Sequence, residues 1–279
     1  MMPRSPSAAC SFSVVILTLN EERDLPACLA SAAGCDDIVV LDSGSTDRTA
    51  ELARAAGARV FVRKFDHFAG QRNHAQRAIP FRHPWVFHLD ADEQFTPELF
   101  AECAAAATAA GDETDGFYVA PKMIFRGRWI PRCTDFPAWQ ARFVRAPRFE
   151  FIEVGHGQRE APGMKMQRLS ANYLHQLDSG GEAEWLEKHR RYARQEAAAH
   201  LAGAHGPARV SELFSRARLV RRRALKQLSY RLPCRPALRF FYQYFLRRGF
   251  LDGGPGLRYC QLLATYEGFT AAELRRLRA

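Results

Sequence analysis

The sequence predicts an α/β domain with a doubly wound, mostly parallel sheet, followed by a helical appendage. Apolar, β-branched segments alternate with helical segments through the first half of the chain, as in a parallel sheet flanked by helices. From about residue 181 the strand pattern stops and basic helical segments replace it. The length of 279 residues and the hydrophobic content of 47% suffice for one core plus an appendage. We therefore expect a flexible tail over 1–11, an α/β domain over 12–180 and a helical region over 181–279.

The first half of the chain alternates strands and helices with short connections. Phe12 to Leu19 is apolar and rich in β-branched residues, which is typical of a buried parallel strand. Thr46 or Asp47 can cap the helix that follows the second strand. In chain order the pattern then predicts a helix over 25–33, a strand over 37–41, a helix ending near 56, a strand over 58–62, a helix over 70–78 and a strand over 86–89.

The later elements form two groups. Asp115 to Lys122 predicts a further strand, and the last predicted strand ends at His175. Beyond it, glycine and proline residues separate helical segments. These predicted helices cover 182–201, 210–228, 236–248 and 256–268.

Acidic or amide side chains follow three of the predicted strands. Asn20 and Glu22 close the first strand, Asp42 the second, and Asp90 and Asp92 the fourth. Asn and Asp favour turns and helix caps for structural reasons alone. However, the carboxyl ends of parallel strands meet at one edge of a sheet, where ligands bind. We therefore expect these side chains to converge on one crevice.

The acids of the fourth strand predict a metal site. Asp90 and Asp92 lie one residue apart, and such a pair can hold a hard divalent cation that keeps positions for substrate phosphates. The alternative is a polar strand end before a helix, because Thr96-Pro97-Glu98 is a good helix start. Neither a G-x-G-x-x-G nor a P-loop motif occurs, so a dinucleotide site and a P-loop are not indicated.

Composition and charge narrow the possible partners and compartment. The net charge of +10 suggests a polyanionic partner: nucleic acid, an anionic membrane surface or phosphorylated substrates. The seven cysteines are scattered without a C-x-x-C pair, which argues against a disulfide framework or a zinc site and for a reducing compartment. We find no signal-peptide pattern and no run of about 18 apolar residues, so we expect a soluble intracellular protein.

Four motifs occur in one order over about 80 residues: V-I-L-T-L-N-E-E, V-L-D-S-G-S-T-D-R-T, G-Q-R-N-H-A and H-L-D-A-D-E. Together they resemble the inverting family 2 glycosyltransferases of GT-A fold, above all the bacterial subgroup that includes the lipopolysaccharide core β-glucosyltransferases. The resemblance implies a GT-A sheet that is mixed but mostly parallel. It also implies a nucleotide-sugar donor, with UDP-sugar favoured, and Mn²⁺ or Mg²⁺ as cofactor.

The resemblance implies particular site residues. Asp90 and Asp92 would hold the metal on the donor diphosphate, and His175 would reach the metal or be a satisfied core histidine. Asp42 would hydrogen-bond the base or ribose. Arg72 is a plausible phosphate partner, although an exposed helix arginine is the commoner interpretation. The donor-binding residues implied are Asn20, Glu22, Asp42, Gly44, Arg72, Asn73, Asp90, Ala91, Gln140 and Arg142.

An inverting transfer needs a base that takes the proton from the acceptor hydroxyl. The resemblance implies a carboxylate on the acceptor side, and we assign Asp135 to this role. The family's best-known pattern, a Glu-Asp pair after the D-x-D motif, does not occur in this chain. Glu153 and His156 are therefore alternatives, and glycines flank His156 on both sides.

The stretch from Phe125 to Arg145 is rich in aromatic and basic residues. Trp129, Phe136 and Trp139 are unusual for a loop region. They either cover a hydrophobic edge or form a platform for a sugar ring, and the sequence favours neither.

The C-terminal region mixes aromatic and basic residues. Twelve Lys or Arg and a single acid, Glu212, occur from Arg209 to Arg248. This composition fits a peripheral helix on an anionic membrane at the cytoplasmic face. Single-stranded nucleic acid binding uses the same residue types, but converging acids would repel a phosphate backbone.

The function predicted is a metal-dependent inverting glycosyltransferase with a lipid-linked saccharide, lipopolysaccharide or exopolysaccharide acceptor, and no nucleic acid partner. One alternative is a basic nucleic-acid-binding protein with a non-catalytic α/β scaffold. Another is a sugar nucleotidyltransferase, but Leu19-Asn20-Glu21-Glu22 lacks the glycine-rich basic loop that such enzymes usually need.

Overall fold

The structure is a computed structural model that describes residues 10–154, 157–203, 210–230, 232 and 234–278. It divides into two compact units. Unit 1 comprises Met1–Ile124 and Phe136–Ser179, and unit 2 comprises Phe125–Asp135 and Gly180–Ala279. The predicted boundary near residue 180 coincides with a boundary between these units, whereas residues 125–135 group with the C-terminal helices. Most of the predicted tail lies outside the described residues.

The strands occur where the sequence is apolar and β-branched. Their bounds are β1 (Ser13–Thr18), β2 (Ile38–Asp42), β3 (Arg59–Val62), β4 (Trp85–Asp90), β5 (Glu93–Gln94), β6 (Gly116–Phe125), β7 (Arg128–Trp129), β8 (Gln140–Arg145), β9 (Phe151–Val154), β10 (Gly157–Glu160) and β11 (Met166–Gln176). The helices of unit 1 are α1 (Leu25–Ser31), α2 (Thr49–Ala55), α3 (Phe68–Ala78) and α4 (Pro97–Ala109).

The main sheet of unit 1 is mixed. Its strand order includes the path β3-β2-β1-β4-β8-β6-β11-β5. The strands β3, β2, β1 and β4 are parallel neighbours, and β8 is antiparallel to both β4 and β6. Strand β11 runs parallel to β6, and β5 pairs antiparallel with β11. The mostly parallel α/β architecture predicted from the sequence is therefore confirmed.

The core of unit 1 lies on both faces of the parallel strands. Every residue of β1 is buried, and Val14 and Ile16 belong to one apolar cluster while Val15 and Leu17 belong to another. Because both faces of the strand are buried, its sequence is a continuous apolar run and not an alternation of apolar and polar residues. Aromatic rings fill the first cluster, where Phe143 lies 5.4 Å from Phe12 and 5.1 Å from Trp85 between ring centroids.

Of the helix caps predicted for unit 1, the cap of α4 is present and the cap of α2 is not. Thr96 caps α4 and accepts a hydrogen bond from the Leu99 amide, with Pro97 in the first turn, as predicted. Neither Thr46 nor Asp47 is the N-cap of α2, which is Arg48, and this prediction was wrong. Asp47 instead accepts hydrogen bonds from the amide and hydroxyl of Thr49.

Unit 2 is helical in its C-terminal part. It contains α5 (Gly181–Leu201), a 3₁₀ helix (Val210–Phe214), α6 (Arg218–Ser229), α7 (Arg235–Phe241), a π-helix (Tyr242–Leu246), a 3₁₀ helix (Gly249–Asp252) and α8 (Gly253–Arg278). The predicted helix over 210–228 is interrupted where Ser215 accepts a hydrogen bond from the Ala217 amide. The predicted separator at Gly253-Gly254-Pro255 coincides with a helix boundary: Gly253, with φ of +72°, ends the 3₁₀ helix and begins α8, and Pro255 lies in the first turn of α8.

Candidate active site

The carboxyl ends of the parallel strands bring two predicted acids to one edge of the sheet. Thr18 is in register with Asp42, and Leu17 is in register with Asp90. Asp42 and Asp90 therefore end the two strands that flank β1. The predicted convergence of strand ends is present in the backbone.

The loop after β2 is closed by side chains that the sequence assigned to donor binding. The Asn20 side-chain oxygen accepts a hydrogen bond from the Thr46 amide at 2.8 Å, and the Glu22 carboxylate accepts one from the Arg48 amide at 3.1 Å. Gly44 has a φ of +95°, a conformation that favours glycine. These contacts fix the loop between β2 and α2 against the end of β1.

Asp42 is buried, and its carboxylate accepts one hydrogen bond from β1 and three from this loop. It accepts hydrogen bonds from the Thr18 hydroxyl at 2.8 Å, the Ser45 hydroxyl at 2.5 Å and the amides of Gly44 and Ser45 at 3.0 and 2.8 Å. Burial raises the pKa of Asp42, but these hydrogen bonds outweigh burial and lower it below its usual value. Asp42 therefore shapes the loop as an ionised acceptor.

Asp90 lies between two buried arginines. Arg72 Nη2 donates to one carboxylate oxygen at 2.7 Å, and Arg142 Nη2 donates to the other at 3.1 Å. Burial raises the pKa of Asp90, but the two guanidinium groups dominate and hold it well below its usual range. The Nε and Nη1 atoms of Arg72 are buried and have no acceptor among the described residues. Arg72 therefore retains unused donors beside an ionised carboxylate.

Glu93 extends this network below Asp90. It is fully buried and accepts hydrogen bonds from the Asp90 amide at 2.9 Å and from Arg142 Nη2 at 2.7 Å. Burial raises the pKa of Glu93 even though Arg142 opposes the shift. Arg142 also lies over the ring of Tyr173, 5.3 Å from its centroid. The buried charges are paired, as buried charges need to be.

A cluster of three possible metal ligands includes Asp92 and Glu93, which follow Asp90 closely in sequence. The ligand atoms of Asp92, Glu93 and His175 all lie within 4.8 Å of one another. His175 Nε2 is 3.4 Å from Asp92, and His175 Nδ1 is 3.4 Å from Glu93. Burial lowers the pKa of His175, but the carboxylates of Asp92 and Glu93 outweigh it and raise the pKa to about 10.

This cluster fits a divalent cation. Two carboxylates and one imidazole are ligands that Mn²⁺ accepts, and His175, an imidazolium between Asp92 and Glu93 here, would release one proton on binding a cation. Asp90 is not part of the cluster, because guanidinium groups hold both of its oxygens. The cluster shares Asp92 and His175 with the set that the sequence indicates, and it adds Glu93.

A cavity of about 620 Å³ opens above Asp90 within unit 1. Residues from α3, β4, β6 and β8 to β11, together with Trp139, line it. They are Phe68, Arg72, Asp90, Tyr118, Trp139, Gln140, Ala141, Arg142, Phe151, Gly157, Gln158, Arg159, Glu160, Arg168 and His175. The cavity therefore begins at the strand ends and continues along the antiparallel part of the sheet, where α/β folds bind ligands.

The family model of glycosyl transferase family 2 matches residues 13–170, which is more than half of the chain. The chain belongs to glycosyl transferase family 2. The resemblance stated from the four motifs is thereby confirmed, and so is the prediction that the chain is a glycosyltransferase.

Individual family 2 relatives are similar over part of their length. The lipopolysaccharide core biosynthesis glycosyltransferase LpsC of Rhizobium meliloti is 38% identical over 132 residues, which cover 46% of each chain. The succinoglycan biosynthesis protein ExoU of the same organism is 30% identical over 149 residues, 44% of this chain and 42% of ExoU. This chain thus spans less than half the length of these curated relatives.

Solved structures of glycosyltransferases are similar as well. Glucosyl-3-phosphoglycerate synthase from Mycobacterium tuberculosis, in complex with Mn²⁺, UDP and glucosyl-3-phosphoglycerate, is 26% identical with a TM-score of 0.34 over 45% of this chain and 47% of that chain. S. aureus TarS 1–349 is 16% identical with a TM-score of 0.45 over 96% and 92% of the two chains.

Three further residues predicted to bind the donor, and the alternative base Glu153, differ in burial and in their contacts. Ala91 is buried, and the Asn73 side chain exchanges two hydrogen bonds with the backbone of Phe151, so it positions β9. Gln140 lines the cavity and accepts a hydrogen bond from Arg142 Nε at 3.0 Å. Glu153 is exposed on β9, 3.9 Å from His67.

The predicted base Asp135 and its alternative His156 are not among the described residues of unit 1. Asp135 belongs to unit 2, where its carboxylate pairs with Arg247 at 3.2 Å. His156 lies outside the described residues. Both roles stay predictions.

Sequence reasoning missed several residues of the family 2 cavity. Tyr118, Arg159, Glu160 and Arg168 line it although no motif marks them. Tyr118 donates to Glu160 at 2.6 Å across strands that are about 40 residues apart in sequence. They come together because β6 and β11 pair in the main sheet and the β9–β10 hairpin also lines the cavity, and a linear pattern carries no signal for such contacts.

Proposed function

We propose that this chain transfers a sugar from a nucleotide-sugar donor, a UDP-sugar, to a lipid-linked saccharide or a lipopolysaccharide or exopolysaccharide acceptor, with inversion at the anomeric carbon. The observation that carries the proposal is the grouping of Asp90, its partner Arg72 from α3, and the Asp92–Glu93–His175 cluster beside a 620 Å³ cavity that Arg72, Asp90 and His175 line. Similarity to LpsC and ExoU supports the acceptor class.

The nucleotide binds at the loops that follow β1 and β2 in this proposal. Asn20 and Glu22 hold the loop between β2 and α2, and Asp42 accepts hydrogen bonds from that loop. Ser45 Oγ is one of the donors to Asp42, and a ribose or base donor replaces it when the nucleotide is bound. Gly44 leaves space there, since no atom lies within 4 Å of where its Cβ would be.

The donor diphosphate lies beside Arg72 and the metal ligands. Phosphate oxygens accept hydrogen bonds from the unused Nε and Nη1 donors of Arg72. Asp92 and His175, with Glu93 behind them, would hold Mn²⁺ or Mg²⁺, and Asp90 orients Arg72 and Arg142 at the edge of this set. When bound, the cation neutralises negative charge on the leaving diphosphate.

The transfer itself needs a proton acceptor at the acceptor hydroxyl. Asp135 has this role in the proposal, and Glu153 and His156 are its alternatives. The guanidinium groups of Arg72 and Arg142 bind both carboxylate oxygens of Asp90 and keep it ionised. In this proposal Asp90 therefore orients the two arginines and does not accept the proton.

The anionic face of the cytoplasmic membrane is the proposed location of the acceptor. Residues 181–279 contain 20 Lys or Arg against 8 Asp or Glu. Leu238, Phe241, Tyr242, Phe245 and Leu246 are all exposed, and the rings of Phe241 and Phe245 lie 5.3 Å apart between centroids. Among the described residues, no helix combines the length and apolarity that crossing a bilayer requires. A basic region with an exposed apolar face supports peripheral attachment.

Calorimetric titration with UDP, with and without Mn²⁺, tests the donor site. We expect Mn²⁺ to tighten UDP binding by about tenfold or more in the wild type, and the Asp92→Asn variant to lose this dependence. Asp112→Asn is the matched control, because the Asp112 side chain is 99% exposed and lies outside the cavity.

Two results would contradict the proposal. One is the absence of UDP and GDP binding with either metal, and the other is equal Mn²⁺ dependence in the wild type and Asp92→Asn. Titration with a short oligonucleotide on the same samples then tests the nucleic-acid alternative.

A further inference from the structure

The cavity lining divides by residue into two parts, and we call the part from Tyr118, Trp139, β10 and Arg168 the outer end and the part around Asp90 the inner end. At the inner end, Arg72 and Arg142 are paired with Asp90 and Glu93. At the outer end, Arg159 of β10 and Arg168 of β11 line the cavity, are exposed, and form no ion pair among the described residues. Two arginines that line one cavity without a carboxylate partner are available to an anionic ligand.

The orientation of Arg168 supports this interpretation. Its guanidinium lies over the ring of Trp139, 5.0 Å from the centroid. Stacking uses the flat face of a guanidinium and leaves its N–H edges available in the plane, where they match the paired oxygens of a phosphate or carboxylate. Trp139 thereby fixes Arg168 and adds an apolar surface to the same wall of the cavity.

One acid lies at the outer end. Glu160 lines the cavity, and its Oε1 accepts a hydrogen bond from the Tyr118 hydroxyl at 2.6 Å. Burial and this carboxylate raise the pKa of Tyr118 to about 12, so the hydroxyl keeps its proton. Two arginines against one engaged carboxylate leave the outer end cationic. Gln140 and Gln158 add neutral polar groups of the kind that bind sugar hydroxyls.

We infer that this outer end is an acceptor subsite for a saccharide that carries an anionic substituent, a phosphate or a carboxylate. Arg159 and Arg168 bind the charge, and the Trp139 and Tyr118 rings border the sugar. The inference rests on the proposed function, because it assigns the inner end to the donor diphosphate. It adds the charge class of the acceptor, which the family does not define.

The test uses small sugars as probes and the full chain. Glucose, glucose 6-phosphate, glucuronate and inorganic phosphate are titrated at constant ionic strength while tryptophan fluorescence is followed, with and without saturating UDP. The Trp139→Phe variant identifies the contribution of Trp139 among the four tryptophans. We expect glucose 6-phosphate or glucuronate to bind about tenfold tighter than glucose and tighter than inorganic phosphate. Comparing the two anionic sugars distinguishes a phosphate from a carboxylate.

Variants then assign the effect to the two arginines. Arg159→Gln and Arg168→Gln should each weaken binding of the anionic sugar by about tenfold and leave glucose and UDP affinities within about twofold. Arg54→Gln is the matched control for net charge, since Arg54 is exposed on α2 and outside the cavity. Its affinities should equal those of the wild type.

Three outcomes overturn the inference: equal affinities for glucose and both anionic sugars, arginine variants that behave like Arg54→Gln, and displacement of the anionic sugar by UDP. The last would assign the outer end to the donor. If UDP fails to bind the wild type, the proposed donor site is wrong, and the sugar titrations still decide the subsite independently.

Discussion

Arg72 Nη2 lies 2.7 Å from Asp90 Oδ1, although the arginine is almost completely buried and two of its other nitrogens have no acceptor among the described residues. Burying a guanidinium costs free energy unless its charge is compensated and its N–H groups are used. Asp90 supplies the charge compensation. The unused N–H groups are available to an anionic ligand, which we propose to be the donor diphosphate.

Replacing Arg72 by lysine tests this role. Lysine keeps the positive charge near Asp90 but has a compact ammonium group that cannot reproduce the fork of a guanidinium. We expect Arg72→Lys to weaken UDP binding by about tenfold, while UMP and uridine, which lack the second phosphate or both, are affected less. Calorimetry with the three ligands measures this. Equal weakening for all three would mean that Arg72 supports the nucleotide loops instead of the diphosphate.

Asp90→Asn and Asp92→Asn should separate stability from metal binding. Asp90→Asn removes the charge shared by two buried arginines, and we expect it to lower the free energy of unfolding by about 2–3 kcal/mol. Asp92 is as exposed as Asp90 but pairs with His175 instead of two buried arginines, so Asp92→Asn should stay within about 1 kcal/mol of the wild type yet lower sugar transfer by about 100-fold or more. Urea unfolding and transfer assays measure both effects. The reverse pattern would contradict the assignment of the two acids.

The strand ends and their acids could be predicted from the sequence because the signal is local. The apolar run of β4 and the acids that follow it lie within nine residues, and the periodicity of a strand fixes where it ends. Arg72 and Arg142 could each be predicted as donor-binding residues, but their pairing with Asp90 could not. Arg142 is 52 residues away and reaches Asp90 because β8 inserts antiparallel between β4 and β6.

The parts that sequence reasoning missed depend on long-range pairing. Arg159 reaches the cavity through the β9–β10 hairpin and Arg168 through β11, and neither lies in a recognisable pattern. Residues 125–135 group with the C-terminal helices because Asp252 accepts hydrogen bonds from the amides of Arg132 and Cys133, about 120 residues earlier. No periodicity in either segment encodes such a contact.

Asp37 gives the fold a pH dependence that is independent of the active site. Its buried carboxylate accepts hydrogen bonds from Ser13 Oγ at 2.6 Å, the Arg82 amide at 2.8 Å and Arg59 Nη2 at 2.8 Å. Burial raises its pKa, but these partners outweigh burial and lower it. Because the folded pKa is below the unfolded value of about 3.9, this stabilisation is present above that value and is lost as the pH falls through the folded pKa.

We therefore expect Asp37→Asn to lower the free energy of unfolding by about 2 kcal/mol at pH 7, with a smaller difference from wild type below pH of about 3.5. Urea unfolding from pH 3 to 7 measures the difference. Asp112→Asn is the control, because the Asp112 side chain is 99% exposed and its ion pair with Arg145 is screened by solvent. A difference that stays constant over this range would mean that the ionised form of Asp37 contributes nothing.

The exposed aromatic face of unit 2 predicts selective binding to anionic membranes. Phe241 and Phe245 are 52% and 50% exposed on that face, and Arg239 and Arg248 lie in the same segment. Inserting two phenylalanine rings into a lipid interface contributes a few kcal/mol, and basic residues near an anionic surface add about 1 kcal/mol each. The double variant Phe241→Ser/Phe245→Ser should therefore bind vesicles containing phosphatidylglycerol about 10- to 100-fold more weakly than the wild type.

Phe65→Ser is the matched control, since Phe65 is 41% exposed in unit 1. Vesicle sedimentation at low and high salt measures binding, and wild-type binding should fall as salt rises because surface charges are screened. Equal sedimentation of the double variant and the wild type would show that this face does not contact lipid.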